Sequence, residues 1–288
     1  MLRTDEINIR DPFVLVHEGK YYLYGTRGAT CWGPAEGFDV YVGDDLEHWD
    51  GPIECFHNDG SFWADRNYWA PEVHPWRGAF YMFASFKAEG VCRGTAILRA
   101  DTPLGPFVPH SDGPVTPRDW ECLDGTLYVS REGRPYIVFC HEWVQIGDGE
   151  VRAMPLTDDL SAPTGEPALL FHASDAEWSK VIHHSSGIDG RVTDGPFLWR
   201  TSDGALLCLW ASMSADGYTE GMAVSDNGEI DGRFVQAEPL YRRDGGHGMV
   251  FRALDGQLYM TLHSPNEHLR ERPRFYPLVD DGNALRRK

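Results

Sequence analysis

Apolar and polar residues alternate along residues 8–26, break at Glu18-Gly19, and resume as the aromatic run 20–25. Two such runs joined through a glycine turn predict an antiparallel hairpin. The unit returns four more times, with turn glycines at Gly19, Gly78, Gly133, Gly204 and Gly256, spaced 52 to 71 residues apart. Each turn leads into an apolar strand, at residues 21–24, 80–83, 136–139, 206–210 and 258–262. A third strand with an acidic, turn-rich exit follows in four units, near residues 39–49, 96–107, 151–160 and 222–234. Units of three or four strands at this spacing are propeller blades rather than turns of a solenoid. The pattern predicts an all-β chain: residues 1–288 as a single five-bladed β-propeller, its active site at one end of the central axis.

In a propeller the first strand of each blade lines the central channel. Residues at equivalent starts of those strands therefore converge, however far apart they lie in sequence. The five starts carry Asp11, Glu72, Asp124, Asp194 and His247, 6 to 10 residues ahead of their turn glycines. Taken singly, an aspartate beside glycine or proline is ordinary turn chemistry. Five polar heads on five apolar strands are harder to dismiss, because a carboxylate beside a channel costs free energy unless it is paired.

Charge narrows the partners. With 26 Lys and Arg against 44 Asp and Glu, the net charge is −18, and no basic patch for nucleic acid is present. The basic end, Arg286-Arg287-Lys288, reads as a solvated tail, and a neutral substrate suits such a chain better than a polyanion. The six cysteines include no C-x-x-C pair and are expected as free buried thiols. The first residues lack the apolar core of a signal peptide, and no apolar run is long enough to span a membrane, so a cytoplasmic location is expected. His183-His184 has no third ligand at metal spacing and reads as an insertion loop.

Several segments resemble glycoside hydrolase family 43: NIRDPFV around Asp11, WAPEVHPWRGAFYMFAS at residues 69–85, and YVGDDLEHW. CLDGTLYVSREGRPYIVF, VTDGPFLWR and GGHGMVFRALDGQLYMTLHSPN extend the resemblance to the remaining blades. It implies inverting cleavage of linkages to arabinose, xylose or galactose. By position, Asp11 is similar to the general base, Asp194 to the general acid, and Asp124 to the carboxylate that orients the acid and raises its pKa. Trp69, Glu72 and His247 are the substrate-binding candidates. No cofactor is required, although His247 resembles an axial histidine that helps hold a central ion or water cluster, which allows a structural calcium beside it.

One departure bears on the acid. The family places glutamate before Gly-Pro in the fourth blade, where this chain has Thr193-Asp194-Gly195-Pro196. Aspartate reaches about 1.5 Å less, which leaves Glu142 in CHEWVQ and Glu220 in GYTEGMA as alternative proton donors. Trp63, Tyr68 and Trp69 either stack on a sugar or pack between blades, and Arg252 either bonds a substrate hydroxyl or is an exposed strand residue.

The expected function is hydrolysis of terminal or side-chain arabinofuranosyl or xylosyl linkages in a small oligosaccharide, without nucleic-acid or membrane partners. Two alternatives remain at this level. A glycoside phosphorylase on the same fold needs Arg, Lys and His around the axis to hold phosphate. A non-catalytic propeller that binds carbohydrate or protein needs neither Asp11 nor Asp194.

Overall fold

The computed structural model describes residues 1–183 and 187–288. Five antiparallel sheets of four or five strands succeed one another, each drawn from a contiguous stretch of chain, with a two-stranded ribbon, Ile182–His183 against Asp189–Gly190, between the third and fourth. Their innermost strands are Ile9–His17, Arg66–Trp76, Cys122–Val129, Asp194–Arg200 and Gly246–Arg252. Each touches the next and the fifth touches the first, so the ring closes as a five-bladed β-propeller. The five predicted turn glycines all have positive φ, from 74° at Gly19 to 92° at Gly204. At Gly19, Gly78, Gly133 and Gly256 an added Cβ would meet nothing, so backbone conformation rather than space selects glycine there.

The opposite end of the inner strands carries a second repeat. In every blade the ladder to the second strand skips two residues: Asp11-Pro12, Ala70-Pro71, Asp124-Gly125, Gly195-Pro196 and His247-Gly248. The first residue of each pair is left-handed, with φ between 48° and 57°. This is a β-bulge, which re-aims side chains toward the axis. Three of the five second residues are proline, tolerated because the ladder is already broken there.

The bulges correct the sequence alignment of the blades. Ala70, not Glu72, is the blade 2 counterpart of Asp11, and Asp194 lies one residue before its bulge, in the place of Arg10. Glu72 sits deeper along the strand, where it accepts Thr126 Oγ1 at 2.5 Å and contacts His74 Nε2 at 3.0 Å.

Each bulge also locks its blade to the preceding one. Ala70 N–H donates to Thr26 Oγ1 at 2.7 Å, Asp124 N–H to Ser85 Oγ at 2.7 Å, and Asp11 N–H to His263 Nδ1 at 3.1 Å. Thr26, Ser85 and His263 occupy one equivalent position on the second strands of blades 1, 2 and 5. In blades 3 and 4 that position holds Cys140 and Ala211, which offer no strong acceptor. Carboxyl oxygens stand in: Asp124 Oδ2 accepts Gly195 N–H at 3.0 Å, and Glu220 Oε2 accepts Gly248 N–H at 2.9 Å.

Among the described residues no strand is shared between the first and last blades, and Leu2–Arg3 adds to the outer edge of blade 1 itself. Closure there rests on side chains, including Arg10 Nη1 on the fully buried Glu271 at 2.6 Å and Trp49 stacked on Phe275. Between blades 1 and 2, Tyr68 is buried against Phe38, Phe56 and Phe86, which assigns it to interblade packing. Arg252 lies at the far end of its strand and donates to the turn carbonyl of Gly256 at 3.0 Å, away from the bulges. All six cysteines are free thiols. His183 is exposed and pairs with Asp189 at 2.7 Å, while His184 lies outside the described residues.

Candidate active site

The bulges deliver Asp11, Asp124 and His247 to the floor of a cavity of about 620 Å³, with Asp194 beside them on its wall. His247 is the hub: its Nδ1 lies 3.2 Å from Asp11 Oδ1 and 3.6 Å from Asp124 Oδ2. Burial opposes charge on this imidazole, but the two aspartates overcome it and push His247 up to about 10. It is therefore a cation at neutral pH.

The three aspartates divide accordingly. Burial alone would raise Asp11, yet the His247 cation and, further out, Arg10 hold it well below the usual carboxylate range. Thr26 Oγ1 donates to its other oxygen at 2.6 Å. Burial, with the neighbouring Asp124 charge, pushes Asp194 up to about 7, against a hydrogen bond from Tyr218 Oη to its Oδ2 at 3.0 Å. Asp124 is also raised, by burial and by Asp11, while the Gly195 amide and His247 partly compensate. Two carboxylates with opposed protonation share one cavity, the arrangement that acid–base chemistry needs.

A buried relay supports Asp11. Because its amide donates to His263 Nδ1, the His263 proton sits on Nε2 and faces Asn266 Oδ1 at 3.2 Å. Asn266 Oδ1 also accepts Arg10 Nη2 at 2.9 Å, and Arg10 is anchored on Glu271. Burial and the Arg10 charge lower His263 to about 3, so it contributes an acceptor rather than a charge.

The wall is aromatic and ion-paired. Trp69 lines the cavity, but the Arg93 guanidinium covers one of its faces at 3.5 Å and Trp32 meets it edge-on at 5.4 Å. Trp32 is 58% exposed and, with Trp143, adds ring surface that the sequence reading did not single out. Every cation on this wall has its own carboxylate: Arg10 with Glu271, Lys87 with Glu121 at 2.7 Å, and Arg93 with Glu142 at 3.5 Å.

Of the alternative proton donors, Glu142 lines the cavity but is tied to Arg93, with burial raising it and Arg93 opposing. Glu220 is completely buried, pushed up to about 8 by burial, and occupied by the Gly248 amide outside the cavity lining. Glu72 does not reach the cavity either, and Trp63 borders a separate one. Arg93, Tyr218 and His263 lie on second or third strands, where no sequence pattern marks them. Calcium takes six to eight oxygen ligands, and among the described residues no group of three His, Cys, Asp or Glu side chains is arranged to hold an ion. The histidine cation already lies between Asp11 and Asp124.

The sequence model of glycosyl hydrolases family 43 matches residues 6–280. The chain belongs to this family. As a family 43 glycosidase it acts on carbohydrate, and its propeller resembles solved members. The endo-arabinase from Bacteroides thetaiotaomicron superposes with a TM-score of 0.92 at 40% identity, covering 98% of this chain and 99% of that one. The extracellular exo-α-(1→5)-L-arabinofuranosidase ArbA of Cellvibrio japonicus is 23% identical over 90% of this chain and 79% of its own length. The extracellular endo-α-(1→5)-L-arabinanase 1 of Bacillus subtilis is 21% identical over 54% of this chain, which spans about half of that relative (49%). Both curated relatives are extracellular, which overturns the cytoplasmic location expected from the first residues.

Proposed function

We propose that this family 43 glycosidase is an inverting hydrolase of α-L-arabinofuranosyl linkages, with Asp11 as general base, Asp194 as general acid and Asp124 as the residue that orients and tunes the acid. The observation that carries this reading is the convergence of Asp11, Asp124 and Asp194 on one cavity, with His247 Nδ1 3.2 Å from Asp11 Oδ1 and the Tyr218 hydroxyl on Asp194, surroundings that hold Asp11 low and push Asp194 up. Asp194 gives its proton to the glycosidic oxygen as the bond to the anomeric carbon breaks. Asp11 takes a proton from the water that attacks the opposite face, so the new hydroxyl has inverted configuration. Proton exchange with solvent restores both groups, and the cycle needs no cofactor. Asp194 is the most exposed of the three aspartates, in keeping with a donor that meets a leaving group.

The arabinose assignment is supported by the similarity to a bacterial endo-arabinase across nearly the whole chain and by the names of both curated relatives. A phosphorylase is disfavoured because Arg10, Lys87 and Arg93 are each already neutralised by a carboxylate. The test is a panel of aryl glycosides of arabinofuranose, xylose and galactofuranose together with α-1,5-arabino-oligosaccharides, read by NMR for the anomer first released. Turnover of arabinofuranosides with inversion, abolished in Asp11→Ala, is expected. A retained anomer, or wild-type rate in Asp11→Ala, would sink the mechanism; exclusive turnover of another sugar would sink the substrate assignment.

A further inference from the structure

A second cavity, of about 440 Å³, opens beside the first. Phe62 and Trp63, on the loop entering blade 2, form one side, and Ser61, Asp112 and Arg118 contribute polar groups. Arg93 is a wall common to both cavities. Both open at the bulge end of the ring: Arg93 follows the turn between the second and third strands of blade 2, and Lys87, just before that turn, lines the first cavity.

The lining has the chemistry of a neutral-sugar site. Flat, half-buried rings offer a face to C–H groups. The buried Trp63 indole Nε1 has no hydrogen-bond partner among the described residues. The Arg118 guanidinium is exposed and bound to the Asp112 carbonyl at 2.5 Å, with the Asp112 carboxylate 3.8 Å away. Paired charges of this kind present hydrogen-bonding edges without an anion-binding surplus. The volume lies within the range typical of small-ligand pockets, about 300–1,000 Å³.

We propose that this cavity is a distal subsite, binding further furanose residues of the oligosaccharide whose reacting linkage lies over Asp11 and Asp194. The assignment rests on the arabinosidase reading above. Because Arg93 borders both cavities at the same end of the ring, they are neighbours, close enough for one oligosaccharide to reach from the first into the second. Because the distal residues touch no reacting group, their binding energy is expected to appear in the dependence of kcat/KM on chain length and not in the cleavage of a short aryl glycoside.

The experiment measures kcat/KM for aryl α-L-arabinofuranoside and for α-1,5-arabino-oligosaccharides of two to eight units. It compares wild type, Trp63→Ala, Trp63→Phe and Arg118→Ala, with circular dichroism as the folding control. Trp63→Ala and Arg118→Ala are expected to lose about 5- to 10-fold on the longer oligosaccharides and to stay within about 2-fold of wild type on the aryl substrate. Trp63→Phe is expected to keep most of the length dependence, because a ring remains. Arg118 is exposed, so its variant reads the subsite even if Trp63→Ala fails to fold. Identical length dependence in wild type and Arg118→Ala overturns the subsite while leaving the functional reading intact. A wild type inert toward every arabinoside overturns the functional reading, and this assignment falls with it.

Discussion

His247→Gln removes the one cation that lies between Asp11 and Asp124, and its consequences are measurable on two axes. At 3.2 Å, with an effective dielectric constant near 20, a charge contact is worth about 5 kcal/mol before desolvation. The rise of His247 from 6.5 to about 10 corresponds to about the same energy at 1.36 kcal/mol per unit. Losing that cation is expected to raise Asp11 into or above the usual carboxylate range, because burial then acts on it without its largest opposing charge. With aryl arabinofuranoside at constant ionic strength, wild-type kcat/KM should show no acid limb from Asp11, which stays ionised throughout. Its alkaline limb should fall through about 7 as Asp194 loses its proton. The variant should gain an acid limb inside the measurable range. Stability supplies the second axis. His247 is raised in the folded protein, so its contribution is present in full below about 6.5 and is lost as pH climbs through about 10. The melting-temperature gap between wild type and variant should therefore narrow from pH 6 to pH 10. Superimposable acid sides of the two pH–rate profiles would refute the claim that His247 keeps Asp11 ionised.

Three further outcomes follow from the same geometry. Asp194→Ala should lose most activity on oligosaccharides but recover at least about 10-fold with a dinitrophenyl leaving group, which needs little protonation; the same rescue in Glu142→Ala instead would move the acid role to Glu142. Glu220→Gln should be near-neutral in activity and progressively stabilising above wild type as pH rises from 4.5 to 8. The buried carboxyl remains protonated there while its unfolded counterpart ionises, and thermal melts at pH 5 and pH 8 read the difference. Thr26→Val keeps shape but leaves the Ala70 amide without an acceptor and Asp11 Oδ2 without its hydroxyl donor, so chemical denaturation should show a loss of about 1–3 kcal/mol.

The recurrence of Gly19, Gly78, Gly133, Gly204 and Gly256 was sufficient for the blade count, because a tight turn with positive φ favours glycine wherever it recurs. Asp11, Asp124, Asp194 and His247 were legible for a related reason: each lies at or next to a bulge whose Pro or Gly leaves a local mark. Glu72 was misplaced because a polar residue near a strand start carries no record of which residue the bulge turns inward. That choice depends on the ladder to the neighbouring strand, and it falls on Ala70.

What the chain alone determined, then, is periodic and local: five hairpins, their turns, and the polar residues beside their bulges. Pairing across blades belongs to the tertiary structure. Arg93 covering Trp69, Tyr218 on Asp194, and the run from Glu271 through Arg10, Asn266 and His263 to Asp11 join residues up to 261 positions apart. Protonation was decided there too. Asp11 and Asp194 are the same residue type beside proline or glycine in sequence; burial raises both, and the charges of His247 and Arg10 around Asp11 and of Asp124 beside Asp194 drive their pKa values in opposite directions.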